Sequence, residues 1–162
     1  MIMYLESSAR ISECGRYRYL LHRVWASEGR LALYIMLNPS TADGGQDDPT
    51  IRSCVRLAIG LGYGGIEVVN LMAWRAAKPV DIPSKPSLAM GAGNPRAVEA
   101  AVRRCATVIC AWGAHPYAAP LAPGILDVVK LCQKTPHCFG RTASGAPRHP
   151  LYIRSGTPLG VY

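Results

Sequence analysis

Apolar runs broken by short polar segments organise the chain. Gly15 to Trp25 is rich in Tyr, Leu and Val, and a turn at Ser27-Glu28-Gly29-Arg30 follows it. Leu31 to Leu37 then reads Leu-Ala-Leu-Tyr-Ile-Met-Leu. A run that is apolar at every position is the pattern of a strand buried on both faces. The two runs and the turn between them predict a β-hairpin.

The second run stops at Asn38-Pro39-Ser40 and a polar loop continues through Asp47. Asp48-Pro49 predicts a helix start, because Asp is a favoured cap and Pro suits the first helical position. Ile51, Cys54, Val55 and Ala58 follow at helical spacing, and Gly60 and Gly62 end the helix. Ile66 to Leu71 is a further apolar strand, interrupted at Asn70. Lys78 to Gly93 holds three prolines and predicts a long loop. Asn94-Pro95 repeats the signal of a capping residue followed by proline, with a helix to about Arg104. Thr107 to Trp112 reads as a buried strand closed by Gly113. Ala118 to Gln133 reads as a helix broken near its start by Pro120 and Pro123. Thr135 to Phe139 predicts a short strand. A Gly/Pro/Arg-rich loop leads from Gly140 to Leu151-Tyr152-Ile153.

Buried strands alternating with helices predict an α/β fold: a three-layer sandwich around a central, mostly parallel sheet, in a single domain over residues 1–162. Ligands of such sheets bind at the carboxyl ends of the strands. Asn38, Asn70 and Gly113 each follow an apolar run at such an end.

Composition narrows the setting. Hydrophobic residues make up 49% of 162, enough for a core, and Phe139 is the single Phe, so that core leans on aliphatic side chains. Eighteen basic and ten acidic residues give a formal charge of +8. After Asp127 no acidic residue occurs, while Lys130, Lys134, Arg141, Arg148 and Arg154 follow. A one-signed segment attracts polyanions, nucleic acid first among them, although a solvated basic face accounts for the same charges. The six cysteines form no C-x-x-C pair and most sit in apolar runs. They read as reduced thiols of a cytoplasmic protein, with no metal or other cofactor. No run reaches transmembrane length, and no signal peptide is recognisable.

Four segments carry a resemblance. They are Ile35-Met36-Leu37-Asn38-Pro39-Ser40, Val68-Val69-Asn70-Leu71 with Arg75 behind it, Val108-Ile109-Cys110-Ala111-Trp112-Gly113, and Arg148-His149-Pro150-Leu151-Tyr152. In order and spacing, across roughly residues 31 to 155, they resemble the strand-end motifs of the uracil-DNA glycosylase superfamily. The chain is also similar, over nearly its whole length, to a bacterial and phage family of unknown function. That family is marked by Asn-Pro-Ser-Thr, Asp-Pro-Thr, Asn-Leu, Trp-Gly and Pro-Arg-His-Pro-Leu-Tyr. The chain departs from the glycosylase pattern in three places. Asn38 stands where some members have Asp, Leu151 stands where a Ser is expected, and no aromatic residue closely follows Pro39. The iron–sulfur cysteine spacing of some members is absent.

The resemblance implies a monomeric enzyme that binds double-stranded DNA and hydrolyses the bond between a base and its sugar. The base is first flipped out of the stack. Asn38 would position a water beneath the sugar carbon, and Asp43, Asp47 or Asp48 would assist as base. His149 would donate to the departing base, whose negative charge needs such a partner. Asn70, with both a donor and an acceptor, would read the base edge, and Ser40 and Trp112 would help to hold the base. Leu151 or Tyr152 would wedge into the duplex, while Arg141, Arg148 and Arg154 would hold phosphates. The long 78–93 loop and the missing aromatic residue point to a bulky modified pyrimidine, such as phage DNA contains, and so to a defence enzyme. All of this requires Asn38, Asn70 and His149 to meet in one pocket.

Structural explanations stand beside these roles. Asn38-Pro39 can simply end a strand, and Asp48 can simply cap a helix. Asp43 and Asp47 can be solvated. Asn70 and His149 can satisfy neighbouring backbone, Trp112 can be core, and His115 fits the pocket and the surface equally. Two other functions remain open: a nucleic-acid or nucleotide-binding protein of the same fold without catalysis, and an enzyme of free nucleotides or nucleosides.

Overall fold

The runs that are apolar at every position become the centre of a seven-stranded mixed sheet. The computed structural model describes residues 2–162. Along the chain lie β1 (Glu6–Ile11), β2 (Arg18–Val24), β3 (Leu31–Met36), α1 (Pro49–Gly60), β4 (Gly65–Asn70), α2 (Pro86–Met90), α3 (Asn94–Arg104), β5 (Thr107–Cys110), α4 (Ala122–Leu131), β6 (Pro136–Cys138) and β7 (Gly160–Val161). The strand order is β1-β2-β4-β3-β5-β6-β7. β4, β3, β5 and β6 are mutually parallel, while the edge pairings β1·β2, β2·β4 and β6·β7 are antiparallel.

Alternating side chains of the central strands feed two cores. Ala32, Tyr34, Ile66, Val68 and Ile109 pack against Ile51, Cys54, Val55 and Ala58 of α1. Leu33, Ile35, Val69, Val108 and Cys110 pack on the other face, against Val98, Ala101 and Val102 of α3 and Val129 of α4. The result is three layers, with strands buried on both sides.

The chain leaves β3 through α1 to reach β4 on one side of β3. It then crosses back through α3 to β5 on the other side. The loops that follow β3 and β5 therefore diverge to opposite faces, and a crevice opens where they part.

Three expectations change. The hairpin between β2 and β3 does not form, because β4 lies between them: Val68 pairs with Leu21 on one side and with Tyr34 on the other. An all-apolar strand needs neighbours on both edges and helices on both faces, so β3 sits at the centre. The hairpin partner of β2 is β1, with Ala9 opposite Leu21. The 25–30 turn instead wraps over the entry to β4. Gly64 O accepts from Trp25 N at 2.9 Å, and a Cβ on Gly64 would meet the Gly29 Cα at 2.3 Å. The second change is at Asn94, whose side chain does not cap α3. Its Nδ2 reaches back to donate to the carbonyls of Asn70 and Leu71, at 2.9 and 3.2 Å. The third is the 78–93 loop, which holds a 3₁₀ turn at Pro79–Asp81 and the short helix α2.

One polar cluster fixes the irregular segment between β3 and α1. Arg23 of β2 is fully buried. Its Nε donates to Asp47 Oδ1 at 2.9 Å, and its Nη1 donates to the carbonyls of Ser8 and His22. Its Nη2 reaches the carbonyls of Asp43 and Gln46. The Tyr4 hydroxyl donates to the second Asp47 oxygen, so both ends of the pair are satisfied. Removing one partner of a buried, fully bonded charge pair leaves the other stranded. Arg23→Ala is expected to lower the unfolding free energy by about 3–5 kcal/mol, read as a fall in the urea midpoint; an unchanged midpoint would show that the cluster is dispensable.

Candidate functional site

The carboxyl ends of β3, β4 and β5 open onto a cavity of about 420 Å³, a size typical of small-molecule sites. Asn38 and Ser40 enter its wall from the loop after β3, Asn70 from the end of β4, and Trp112 from just beyond β5. Asp48 enters from the start of α1, and His115, His149 and Tyr152 come from two 3₁₀ turns. Asn38, Asn70 and His149 thus share one cavity, with Ser40, Trp112 and Asp48 around them.

The two asparagines differ in how they are held. Asn38 Nδ2 donates to the carbonyls of Pro39 and Ala76, at 3.0 and 2.9 Å. Both amide protons are consumed, so Oδ1 is left as an acceptor, the arrangement that holds a water. Asn70 is 1% exposed, and neither its Nδ2 nor its Oδ1 has a partner among the described residues. A buried amide with no partner is costly, and a ligand edge offering one acceptor and one donor removes the cost.

The histidines are built alike. His115-Pro116 and His149-Pro150 each start a 3₁₀ turn, with Pro fixing the first φ. In each, Nδ1 accepts a backbone N–H two residues on, from Tyr117 or Leu151, at 3.3 Å. The ring proton therefore sits on Nε2 when the histidine is neutral. Gly113 has a φ of +75°, which turns the chain sharply out of β5. Its N–H donates to Pro147 O at 3.0 Å and ties that strand end to the His149 loop. Burial lowers the His149 pKa below its ordinary 6.5, and the Asp48 charge opposes the shift only in part. His149 is thus a neutral donor at pH 7.

The three acids proposed for water activation separate clearly. Asp43 Oδ1 accepts from Gly45 N and Gln46 N, which lower its pKa, and it stands outside the cavity wall. Asp47 belongs to the Arg23 cluster. Asp48 is the one carboxylate in the wall, and its Oδ1 also caps α1 by accepting from Ile51 N at 2.8 Å.

Trp112 lies mostly in the core, edge-on to Tyr162 with ring centroids 5.6 Å apart, and only part of it faces the cavity. Tyr152 is 71% exposed at the rim, with Leu151 (44%) beside it. Arg148 and Arg154 are exposed near this rim, and Arg148 Nη2 approaches Tyr152 O at 3.4 Å. Arg141 stands apart: its guanidinium stacks 4.4 Å from the Tyr162 ring, in a separate hollow beside Lys130 and Lys134.

One wall residue escaped the sequence reading. Arg18, the first residue of β2, is 3% exposed and lines the cavity. Its Nη1 donates to Ala42 O at 2.7 Å, while its buried Nε has no acceptor among the described residues. Burial pushes its pKa down to about 10, so it remains charged at neutral pH. A signal was available: two arginines, Arg18 and Arg23, and His22 stand in a strand whose other residues are Tyr, Leu and Val.

A family model described as "Protein of unknown function (DUF1643)" matches residues 18–151. The chain belongs to this family. The matched span runs from Arg18 through His149 and so takes in the whole cavity wall except Tyr152. No curated protein and no solved structure matches this DUF1643 member. Among its described residues no cluster of His, Cys, Asp and Glu is arranged to hold a metal ion. No helix among them is long and apolar enough to cross a membrane.

The contrast between the asparagines has a measurable consequence. Asn38→Leu strands the Pro39 and Ala76 carbonyls and is expected to cost about 1–3 kcal/mol, whereas Asn70→Leu removes a polar group with no partner and is expected to be neutral or stabilising. Paired urea melts check both, and a large loss for Asn70→Leu would show that its amide is satisfied in solution. For His149 the unfolded-state pKa is the higher one. As pH falls through about 6.5 the unfolded chain takes up the proton first, and stability drops. Between pH 7 and 5 the wild type is expected to lose stability relative to His149→Asn, which keeps a capping side chain; parallel curves would contradict the lowered pKa.

Proposed function

We propose that this protein is a DNA glycosylase of the uracil-DNA glycosylase type, one that hydrolyses the N-glycosidic bond of a damaged or modified base and leaves an abasic site. The observation that carries the reading is the meeting in one cavity of the Asn38 Oδ1 acceptor, the unpaired Asn70 amide and the His149 Nε2–H donor. A flipped nucleoside needs each of these at a different atom. Asn70 takes the hydrogen-bonding edge of the base. Asn38 Oδ1 holds a water below the sugar carbon. The carbon–nitrogen bond breaks first and its bonding pair leaves with the base, and the water oxygen then bonds to the electron-poor sugar carbon. His149 Nε2–H stabilises the resulting anion. The water's proton passes to the free oxygen of Asp48.

The charge distribution supports a nucleic-acid substrate. The net charge is +8, and exposed Arg148 and Arg154 lie beside the protruding Leu151 and Tyr152. Flipping costs a few kcal/mol, which phosphate contacts and an inserted side chain offset. A second hollow of about 390 Å³ adjoins the first across Trp112, Gly113, Ala114 and His115, walled by Ala118, Ala122, Gly145 and Ala146. Small side chains there leave room for a bulky substituent, which favours a modified pyrimidine of phage type over plain uracil. One observation favours a different reading, a binding protein without catalysis: the only carboxylate in the wall is already engaged as a helix cap.

The test is a panel of duplexes carrying different bases, treated with protein and then with hot alkali, so that strand cleavage reports abasic sites. Cleavage is expected at one class of modified base, and Asn38→Ala and His149→Ala are each expected to slow it by about 10²–10³. Tight binding with every base left intact would establish the non-catalytic reading instead.

A further inference from the structure

We infer that the ligand of this cavity presents an anionic group to Arg18, so that the protein recognises a base together with a phosphate or carboxylate rather than a base alone. The inference rests on the reading of Asn70 as the partner of a base.

Arg18 and Arg23 stand on the same strand, and both are buried. Arg23 has acceptors for all three guanidinium nitrogens and Asp47 as counter-charge. Arg18 has the Ala42 carbonyl alone, its Nε is unpartnered, and no carboxylate forms an ion pair with it among the described residues. Arg75 behind it adds like charge and also has a buried, unpartnered Nε. The Asp48 charge opposes the effect of burial on Arg18 without reaching ion-pair distance, and its Oδ1 is committed to Ile51 N. A buried charge without a counter-ion is strongly unfavourable. The fold neutralises Arg23 with its own groups and leaves Arg18 facing the cavity.

Position points the same way. Because β2 is antiparallel to its neighbour β4, its first residue lies at the carboxyl ends of the parallel strands. Arg18 N donates to Ala73 O, three residues beyond Asn70. The guanidinium fork therefore borders the unpaired amide in one cavity, and such a fork suits paired anionic oxygens of phosphate or carboxylate. Two sources supply that chemistry: the phosphate of the bound nucleotide, or a carboxylate carried by a modified base.

The experiment is calorimetric titration of the wild type with inorganic phosphate, the four deoxynucleosides, their 5′-monophosphates and 5-carboxydeoxycytidine. At least one acidic ligand is expected to bind ten-fold or more tighter than its neutral parent, and which one identifies the source. In Arg18→Gln that gap is expected to fall to two-fold or less. Arg18→Lys, which keeps the charge and can still reach Ala42, is expected to retain part of it should Arg18→Gln not fold. The absence of any gap in the wild type, or a full gap in Arg18→Gln, overturns the proposal. No step of this test requires base release. A protein that forms no abasic sites yet binds phosphate through Arg18 would refute the glycosylase reading alone. Base release without an acidic preference would refute this inference alone.

Discussion

The buried guanidinium of Arg23 is the constraint on which the site depends. The segment from Asn38 to Asp48 has no regular structure, so it cannot hold itself in place through a helix or sheet ladder. Arg23 supplies that hold by binding the carbonyls of Asp43 and Gln46 and the carboxylate of Asp47. Asn38 and Ser40 lie before the clamp and Asp48 directly after it, so Arg23 anchors the segment that carries three cavity residues, alongside the Arg18 bond to Ala42 O and the Asn38 bond to Ala76 O. The Tyr4 hydroxyl on Asp47 completes the cluster from the amino-terminal segment. The edge strands, which look peripheral to a parallel sheet, thereby become part of the machinery.

A division runs through the polar interior. Arg23, Asn38 and Asn94 spend their donors on the protein and hold loops or strand ends. Glu67 is satisfied from the other side, its two oxygens accepting from Arg104 Nη2 and Nε at 2.7 and 2.8 Å. Arg18, Asn70, Arg75, Asn94 and His137 each keep a buried atom without a partner among the described residues, and of these Arg18 and Asn70 line the cavity. Buried polar groups are normally satisfied, so those left over carry information about what the protein meets. Here they offer a cation and an amide edge together.

Much of this was legible in the chain because parallel α/β sheets place strand ends and ligands together. The runs ending at Asn38, Asn70 and Trp112-Gly113 are mostly apolar, Glu67 apart, which identified them as central strands and their ends as one rim. Proline after Asp48 and after Asn94 marked α1 and α3, since proline is favoured only at a helix's first turn. Pairing partners were not legible. The turn at 27–30 suits a hairpin, but inserting β4 between β2 and β3 is a long-range choice made by two-sided burial of β3. Arg18 was missed for the same reason: only the antiparallel pairing of β2 brings its first residue to the ligand end. Asp48 was marked as a cap by the proline after it, but Asp43 and Asp47 look alike in the sequence, and only the backbone turn at Asp43 and the Arg23 pair at Asp47 tell them apart.

The chemistry of the wall favours help to the leaving group over activation of the water. Asn38 is neutral and can orient a water but cannot take its proton. Asp48 shares its charge with the first turn of α1. His149 and His115, by contrast, both have Nδ1 engaged by backbone, and their Nε2–H groups remain for the cavity they line. Preorganised donors in a site shielded from water act most strongly on charge that develops during bond breaking. Within the proposed glycosylase reading, these residues suit a reaction whose bond breaks ahead of attack, with negative charge gathering on the departing group. Cleavage between a sugar and an electron-poor base has that character, and a substituent that stabilises the departing anion would compensate for the weak base beneath the sugar.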